Sequence, residues 1–421
     1  MKIAVTGTIG SGKSTLCRKL AELLPEFTVV SVDDVVRSIY DDADFLEHLR
    51  RDFGVSSKKE ASDLVFSNPE KRQALEQLSL GYIRPKLAAA LKTANAIVEF
   101  PLLFEMSDFA TRADLVIAVG CDDATQLARV VARDKMSPEK LQAVRNVQYS
   151  RELRAALSDV YVDTKTSQQT RDAAYADIVG RVRIIQLKER ALAFFGASGP
   201  AIWNAIEARY KEPQRHYHTL HHLHELFTAL RPHLAGHPHA RAMELATWFH
   251  DLVYETDPAV YPTNEAKSAK EMLRILAEHQ PTWLTIDCIM HEQVYLAAEI
   301  IVATKTHKIA ADWVRCKPDH LHAAELFIDA DMSILAADPA RLAEYDSQIS
   351  REWGQNAGQE NFAFCTGRLN ALRSFKAAGP VFLTHEFYEL ESTAQANIDH
   401  LVHFWVQRVE MHTRQMVGIA Q

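Results

Sequence analysis

Along the first 185 positions, apolar residues come in short, dense runs. These are KIAVT (Lys2–Thr6), VVSV (Val29–Val32), AIVEF (Ala96–Phe100) and ADLVIAVG (Ala113–Gly120). Short aliphatic and β-branched runs of this kind predict buried strands. The stretches between them, with apolar residues every three or four positions, predict helices. Their alternation is the signature of βαβ units on a parallel sheet. Beyond Trp203 the strand-type runs vanish and almost everything reads as helix. A chain of 421 residues exceeds one ordinary core. The pattern therefore predicts an α/β domain over 1–190, a linker at 191–200 around FFGASGP (Phe194–Pro200), and an all-α domain over 201–421.

The first strand runs straight into GTIGSGKST, Gly7–Thr15. The spacing is G-x-x-x-x-G-K-[ST], and Leu16, Leu20, Leu23 and Leu24 follow at helical spacing. Strand, glycine turn and helix are the context this motif requires for phosphate binding. The backbone of Gly7, Gly10, Ser11, Gly12, Lys13, Ser14 and Thr15 is expected to wrap the phosphates of ATP, aided by the helix N-terminus. Lys13 would reach the β- and γ-phosphates, and the Ser14 hydroxyl would ligate Mg²⁺. This is a nucleotide-binding P-loop.

Charged residues follow where a phosphoryl-transfer site needs them. Asp33 and Asp34 lie past the second strand, at the carboxyl end of the sheet. One of them is a candidate base or a water-mediated Mg²⁺ ligand; helix capping by Asp34 is the alternative role. Glu99 ends the third strand in the same relation to the crevice. Past the fourth strand, Arg129 and Arg133 share a helix face, either to neutralise transition-state charge or as a solvated basic face. Ser137 and Pro138 read as the N-cap and first turn of the next helix.

Composition narrows the partners. The chain is 47% hydrophobic and 24% charged, as soluble globular proteins are. Its net charge of −8, with no basic stretch interleaved with aromatics, counts against nucleic acid as a partner. No apolar run is long enough for a membrane span, and no N-terminal apolar segment precedes the P-loop. Five scattered cysteines without a C-x-x-C pair point to a reducing, cytoplasmic compartment. Small molecules are the expected substrates; the sequence leaves the oligomeric state open.

The 19 histidines concentrate in the second half, around RHYHTLHHLHELF (Arg215–Phe227) and ELATWFHDLVY (Glu244–Tyr254). Ala242, Leu245, Ala246, Phe249, Leu252 and Val253 keep one apolar helical face, and His250-Asp251 is embedded in it. Such a buried pair is costly unless compensated, and a divalent metal would compensate it. His218 and His222 lie four apart on the preceding predicted helix, and FIDADMSIL offers Asp329 and Asp331. Histidines and carboxylates from three helices are a common way for an α-bundle to hold a metal. Such a set accepts Mn²⁺, Fe²⁺, Co²⁺, Ni²⁺ or Zn²⁺.

Residues 1 to about 185 resemble dephospho-coenzyme A kinases, which phosphorylate the ribose 3′-hydroxyl of dephospho-CoA with ATP. The resemblance rests on GTIGSGKST, V-D-x-V-V-R around Asp33, FGV at Phe53, LVFSNPEKR, VEFPLLFE (Val98–Glu105), Gln126, Arg129 and Arg133, the S-x-E-K stretch and Gln148. It implies that Asp33 is the general base, that Arg129 and Arg133 belong to a lid, and that PLLFE helps line the acceptor site. Ser31 stands where the family usually has a further Asp, Leu80-Gly81 replaces a His-Pro, and Asp163 a late Asn. A nucleoside monophosphate is thus an alternative acceptor.

Residues from about 200 to 415 resemble the HD superfamily of metal-dependent phosphohydrolases. The shared elements are Arg215, Tyr217, His218 and His222; Trp248–Tyr254; Asn264, Glu265 and Ser268; and Asp329–Asp331. By likeness to cyclic nucleotide phosphodiesterases, the metal ligands would be His222, His250, Asp251 and Asp331. His218 would protonate the leaving oxygen, and Glu265 and His307 would position water or a second ion. The expectation is a bifunctional enzyme. A polynucleotide kinase–phosphatase, or a kinase regulated by a nucleotide-sensing HD half, are the alternatives.

Overall fold

The computed structural model describes residues 1–421 apart from 68, 107–111, 147, 258–262, 287, 310–317, 357 and 420–421; the side chains at 62–63, 65–67, 69, 106 and 417–419 also fall outside it. Asn68 of the LVFSNPEKR stretch and Cys316 therefore lie outside the described residues. The chain divides into two units, Met1–Gln186 and Leu187–Gln421.

The first unit is built on a five-stranded sheet, β1 (Lys2–Gly7), β2 (Thr28–Ser31), β3 (Ala96–Glu99), β4 (Leu115–Gly120) and β5 (Val160–Asp163), in the order β2-β3-β1-β4-β5. Every pairing is parallel, with Val5 opposite Glu99 on one side and opposite Ile117 on the other. Both faces are covered, as an all-parallel sheet requires. Ile3, Val5, Ile117 and Val119 pack with Leu16, Leu20, Ile178 and Val182 on one face, while Ala4, Val98 and Val116 pack with Leu103 on the other. Four strands fall on the predicted runs. β5, a four-residue edge strand like β2, is a fifth that the sequence reading did not assign. Val32, read as strand, opens the helix Val32–Ser38, because Ser31 caps that helix by accepting the Asp34 amide at 3.2 Å.

Among the described residues, the second unit consists of helices joined by turns and loops, with no strand. Its core holds Trp203, Trp248, Phe249 and Phe327, all essentially inaccessible. The expected linker at 191–200 is instead folded: the helix Gln168–Phe195 runs through it, followed by a 3-10 turn at Gly196–Ser198 and the helix Gly199–Tyr210. Ala191 and Phe195 are buried, and the Phe195 ring stacks on Trp283 at 5.9 Å. A Gly/Ser/Pro break here marks a tight turn at Gly196, with φ 59°, rather than a solvated spacer. Among the described residues, no helix is long and apolar enough to cross a membrane.

Candidate active sites

The P-loop closes the carboxyl end of β1 with Gly10 (φ 73°) and Gly12 (φ 105°) in the left-handed region that glycine tolerates. The helix Lys13–Leu23 follows at once. Lys13 is 8% exposed, and its Nζ donates to Thr8 O at 3.0 Å across the loop. Burial lowers its pKa, while the charges of Glu99 and Asp33, which line the same crevice, pull the other way. Ser14 Oγ donates to Glu99 Oε1 at 2.7 Å, so the hydroxyl expected to ligate Mg²⁺ has a carboxylate partner already in place.

A crevice of about 1590 Å³ opens in front of the loop, lined by Lys13, Ser14, Asp33, Glu99, Arg129 and Arg133 among others. Ordinary single-ligand pockets occupy about 300–1,000 Å³, so this one has room for a nucleotide and an acceptor together. Asp34 lies on its rim and pairs with Arg37 at 2.9 Å, leaving the capping role to Ser31.

The two arginines have different surroundings. Arg129 is held against the loop, with Nη1 donating to Thr164 Oγ1 at 2.7 Å and Nη2 to Thr164 O at 3.2 Å, and with longer bonds to Gly10 O and Ser11 O. Arg133, one turn on, is exposed and paired with Asp134 at 2.7 Å. Arg129 thus braces the loop, whereas the Arg133 guanidinium stands at the solvent side of the same crevice.

Two residues behind the crevice have roles that the sequence reading did not assign: Gln126, named there only as part of the resemblance, and Arg154. Gln126 is buried and spans from Thr8 Oγ1 (3.0 Å) to Ile9 O (2.7 Å), and Arg145 Nε holds its Oε1 at 2.8 Å. A glutamine on the buried face of Asp123–Asp134, in line with Val130, was the available signal. Arg154 is buried too, donating to Thr6 Oγ1 at 2.7 Å and paired with Glu105 of PLLFE.

In the second unit the structure gathers the four expected donors. His222 Nε2 lies 3.0 Å from His250 Nε2, 3.6 Å from Asp251 Oδ2 and 3.3 Å from Asp331 Oδ1. His250 Nε2 lies 2.9 Å from Asp251 Oδ2. One ligand atom from each of His222, His250 and Asp251 falls within 4.8 Å of the other two, which suits a single ion. Burial alone would lower the pKa of His250, but Asp251 and Asp331 outweigh it and raise it to about 9.

How the chain delivers these donors differs from the periodic reading. His250 and Asp251 are not inside a helix: Ala240–Phe249 ends at His250, and Asp251 sits in the turn beyond. Ending there leaves carbonyls without intrahelical partners. The buried Arg215 guanidinium holds the turn just beyond, donating to Asp251 O at 2.7 Å and Leu252 O at 2.9 Å. Likewise His218 precedes the helix Leu220–Leu234, which Thr219 caps, so only His222 is helical. Asp331 faces the cluster from Pro318–Met332, whereas Asp329 turns away and accepts from Leu383 N, Thr384 N and Thr384 Oγ1.

Glu352 is the functional candidate that the sequence hid. It is 3% exposed; Oε1 accepts the amides of His216, Tyr217 and His218, each at 2.8 Å, and Oε2 meets His218 Nδ1 at 2.7 Å. Burial would raise its pKa, but His218 and those amides hold it at about 2. With Nδ1 so engaged, His218 Nε2 faces Asp251 Oδ2 at 3.9 Å. Beside the donors lies a cavity of about 240 Å³, reached by His218, Glu265, His307 and Arg368. His307 Nε2 is 3.5 Å from Asp331 Oδ2, and its φ of 49° is unusual for a non-glycine residue.

A P-loop at the head of a parallel sheet, with acids and arginines around one crevice, defines an α/β nucleotide-binding phosphotransferase domain. Residues 1–170 match the dephospho-CoA kinase family model. The chain is 32% identical over 189 residues to a dephospho-CoA kinase of Coxiella burnetii, covering 42% of this chain and 94% of that protein. It is 30% identical over 204 residues to that of Aeromonas hydrophila, covering 46% and 95%. A solved dephospho-CoA kinase from Campylobacter jejuni aligns with 24% identity and a TM-score of 0.34, over 43% of this chain and 98% of that one. Through its first unit, the chain belongs to the dephospho-CoA kinase family.

Proposed function

We propose that the first unit transfers the γ-phosphoryl group of ATP to the ribose 3′-hydroxyl of dephospho-CoA. The observation that carries this reading is the set of Asp33 and Glu99 beside Lys13 and Ser14 in one crevice. Asp33 accepts the proton of the attacking hydroxyl, and Lys13 and Arg133 neutralise charge on the phosphoryl oxygens. Ser14 and Glu99 are the groups suited to hold Mg²⁺, which screens the phosphates when bound. A panel of acceptors with labelled ATP tests the reading. Dephospho-CoA should be phosphorylated best; a nucleoside monophosphate preferred over it would keep the fold and overturn the substrate.

We further propose that the second unit is an HD-type metal-dependent phosphohydrolase. The convergence of His222, His250, Asp251 and Asp331 supports this reading. These four side chains would hold a divalent transition metal, which supplies a hydroxide near neutral pH and screens phosphate charge. His218 Nε2 protonates the leaving oxygen, while Glu352 keeps the imidazole turned toward it. Purified protein, stripped of metal and resupplied with Mn²⁺ or Co²⁺, should hydrolyse a phosphomonoester or phosphodiester; no metal-dependent hydrolysis of either would overturn this half.

A further inference from the structure

The turn that follows β1 is gripped from behind. Gln126, 4% exposed on the helix Asp123–Asp134, donates its two amide protons to Thr8 Oγ1 at 3.0 Å and Ile9 O at 2.7 Å. The same helix lies so close that a Cβ at Gly10 would stand 2.7 Å from Val130 Cγ2. Loop apex and helix are packed as one, with no room for either to shift alone.

What the grip does follows from peptide planarity. The C=O and N–H of a trans peptide point in opposite directions. Holding Ile9 O toward Gln126 aims the Gly10 N–H away from it, and Gly10 lines the crevice. Arg129 treats the next two peptides likewise, through its longer bonds to Gly10 O and Ser11 O. Thr8, whose hydroxyl Gln126 holds, also offers the carbonyl on which Lys13 Nζ rests at 3.0 Å. One buried amide thus fixes an N–H of the loop and the residue that parks Lys13.

The far side of Gln126 leads to another helix. Its Oε1 accepts from Arg145 Nε at 2.8 Å and from Nη2 of the same guanidinium. Arg145 ends the helix Pro138–Arg145 and is tied to Asp123 as well, at 3.3 Å from both its carbonyl and its carboxylate. An arginine only donates, so Oε1 faces it and the NH₂ faces the loop; the amide orientation is fixed from both ends. Val144, one residue earlier, lines the crevice, whereas neither Gln126 nor Arg145 does. Both act from behind the loop rather than on a ligand.

We propose that Gln126 is a positioning residue for ATP and that Arg145 sets it. The helix Pro138–Arg145 then reaches the phosphate-binding amides through a single side chain, and whatever displaces that helix changes the grip on ATP. The inference deepens the kinase reading of the first unit and rests on it.

The test is calorimetric titration of the full chain with a non-hydrolysable ATP analogue and Mg²⁺, beside steady-state transfer to dephospho-CoA. Gln126→Met keeps the length but donates to neither loop atom. Its affinity for the analogue and its KM for ATP should worsen roughly tenfold or more, with KM for dephospho-CoA unchanged. Arg145→Met should worsen the same two quantities by less, and the double variant should be no worse than Gln126→Met alone. Additive losses would show Arg145 acting by another route and overturn the relay. A lower Tm with unchanged affinity for the analogue would make Gln126 a structural residue only. A rise confined to KM for dephospho-CoA would move its role to the acceptor and overturn the assignment to ATP. Should the wild type bind the analogue yet phosphorylate no acceptor, the kinase reading fails while the titration still decides this inference.

Discussion

Glu352 and His218, 134 residues apart, are joined at 2.7 Å through the imidazole Nδ1. The carboxylate fixes which ring nitrogen faces the donor cluster and favours the charged imidazole. Burial lowers the His218 pKa, but Glu352 and Asp251 outweigh it and the net shift is upward. A raised pKa keeps a general acid protonated to higher pH, so removing the carboxylate charge should move the alkaline limb of the rate profile to lower pH. Glu352→Gln should keep its metal, lose roughly tenfold or more in turnover, and show that displaced limb. An unmoved limb would leave Glu352 a purely structural group.

Asp251 and His218 should separate by readout. If the proposed metal binds there, Asp251→Ala is expected to abolish both the metal-dependent rise in Tm and the hydrolysis, because that rise comes from an ion bound to the folded state alone. His218→Ala should keep the rise and lose turnover. Differential scanning fluorimetry with and without Mn²⁺ distinguishes them; parallel loss in both variants would make His218 a ligand.

Lys13→Ala should lower phosphoryl transfer roughly a hundredfold or more, with circular dichroism and metal-dependent hydrolysis unchanged. Asp33→Asn should collapse transfer to dephospho-CoA as well, while ATP still binds. Steady-state assays of the two activities on the same preparation check both expectations.

Cys17 lies on the second turn of the P-loop helix and is 1% exposed. Burial, then the nearby Glu99 charge, push its thiol up to about 12. The thiolate is the reactive form, so iodoacetamide at pH 8 should leave Cys17 unmodified in native protein and modify it after denaturation. Peptide mass spectrometry reads the outcome, with the half-buried Cys288 as the internal comparison.

Arg154 tests the packing behind the crevice. Its guanidinium is 2% exposed, donates to Thr6 Oγ1 and Tyr149 O, and pairs with Glu105. Removing one member of a buried pair strands the other, so Arg154→Met should cost about 3–5 kcal/mol in urea unfolding of the full chain. Restoring neutrality with Glu105→Gln in the same molecule should recover part of that loss.

What could be read from the sequence follows the range over which each residue acts. The P-loop, the four predicted strand runs and the donors His222, His250, Asp251 and Asp331 carry local patterns. Glu352 carries none: it ends an ordinary amphipathic helix, Pro339–Glu352, and gains meaning only from amides far back in the chain. Periodicity also misplaced His250 and Asp251, since apolar spacing continues past the helix end into the turn that Arg215 holds. Thr164 and Arg154 were hidden for the same reason as Glu352, being partners across the fold rather than along it.

The central position of β1 has a consequence for biosynthesis. The strand that launches the P-loop is made before the other four, yet Lys2 finds its β3 partner only at Ala96, and Ile3 its β4 partner only at Leu115. At a translation rate of roughly 5–20 residues per second, KIAVT waits roughly 5–20 s on the ribosome with both edges unpaired. A nascent chain in that interval exposes a β-branched edge to its neighbours, and chaperone occupancy of ribosome-bound chains should fall once the residues of β3 and β4 have emerged.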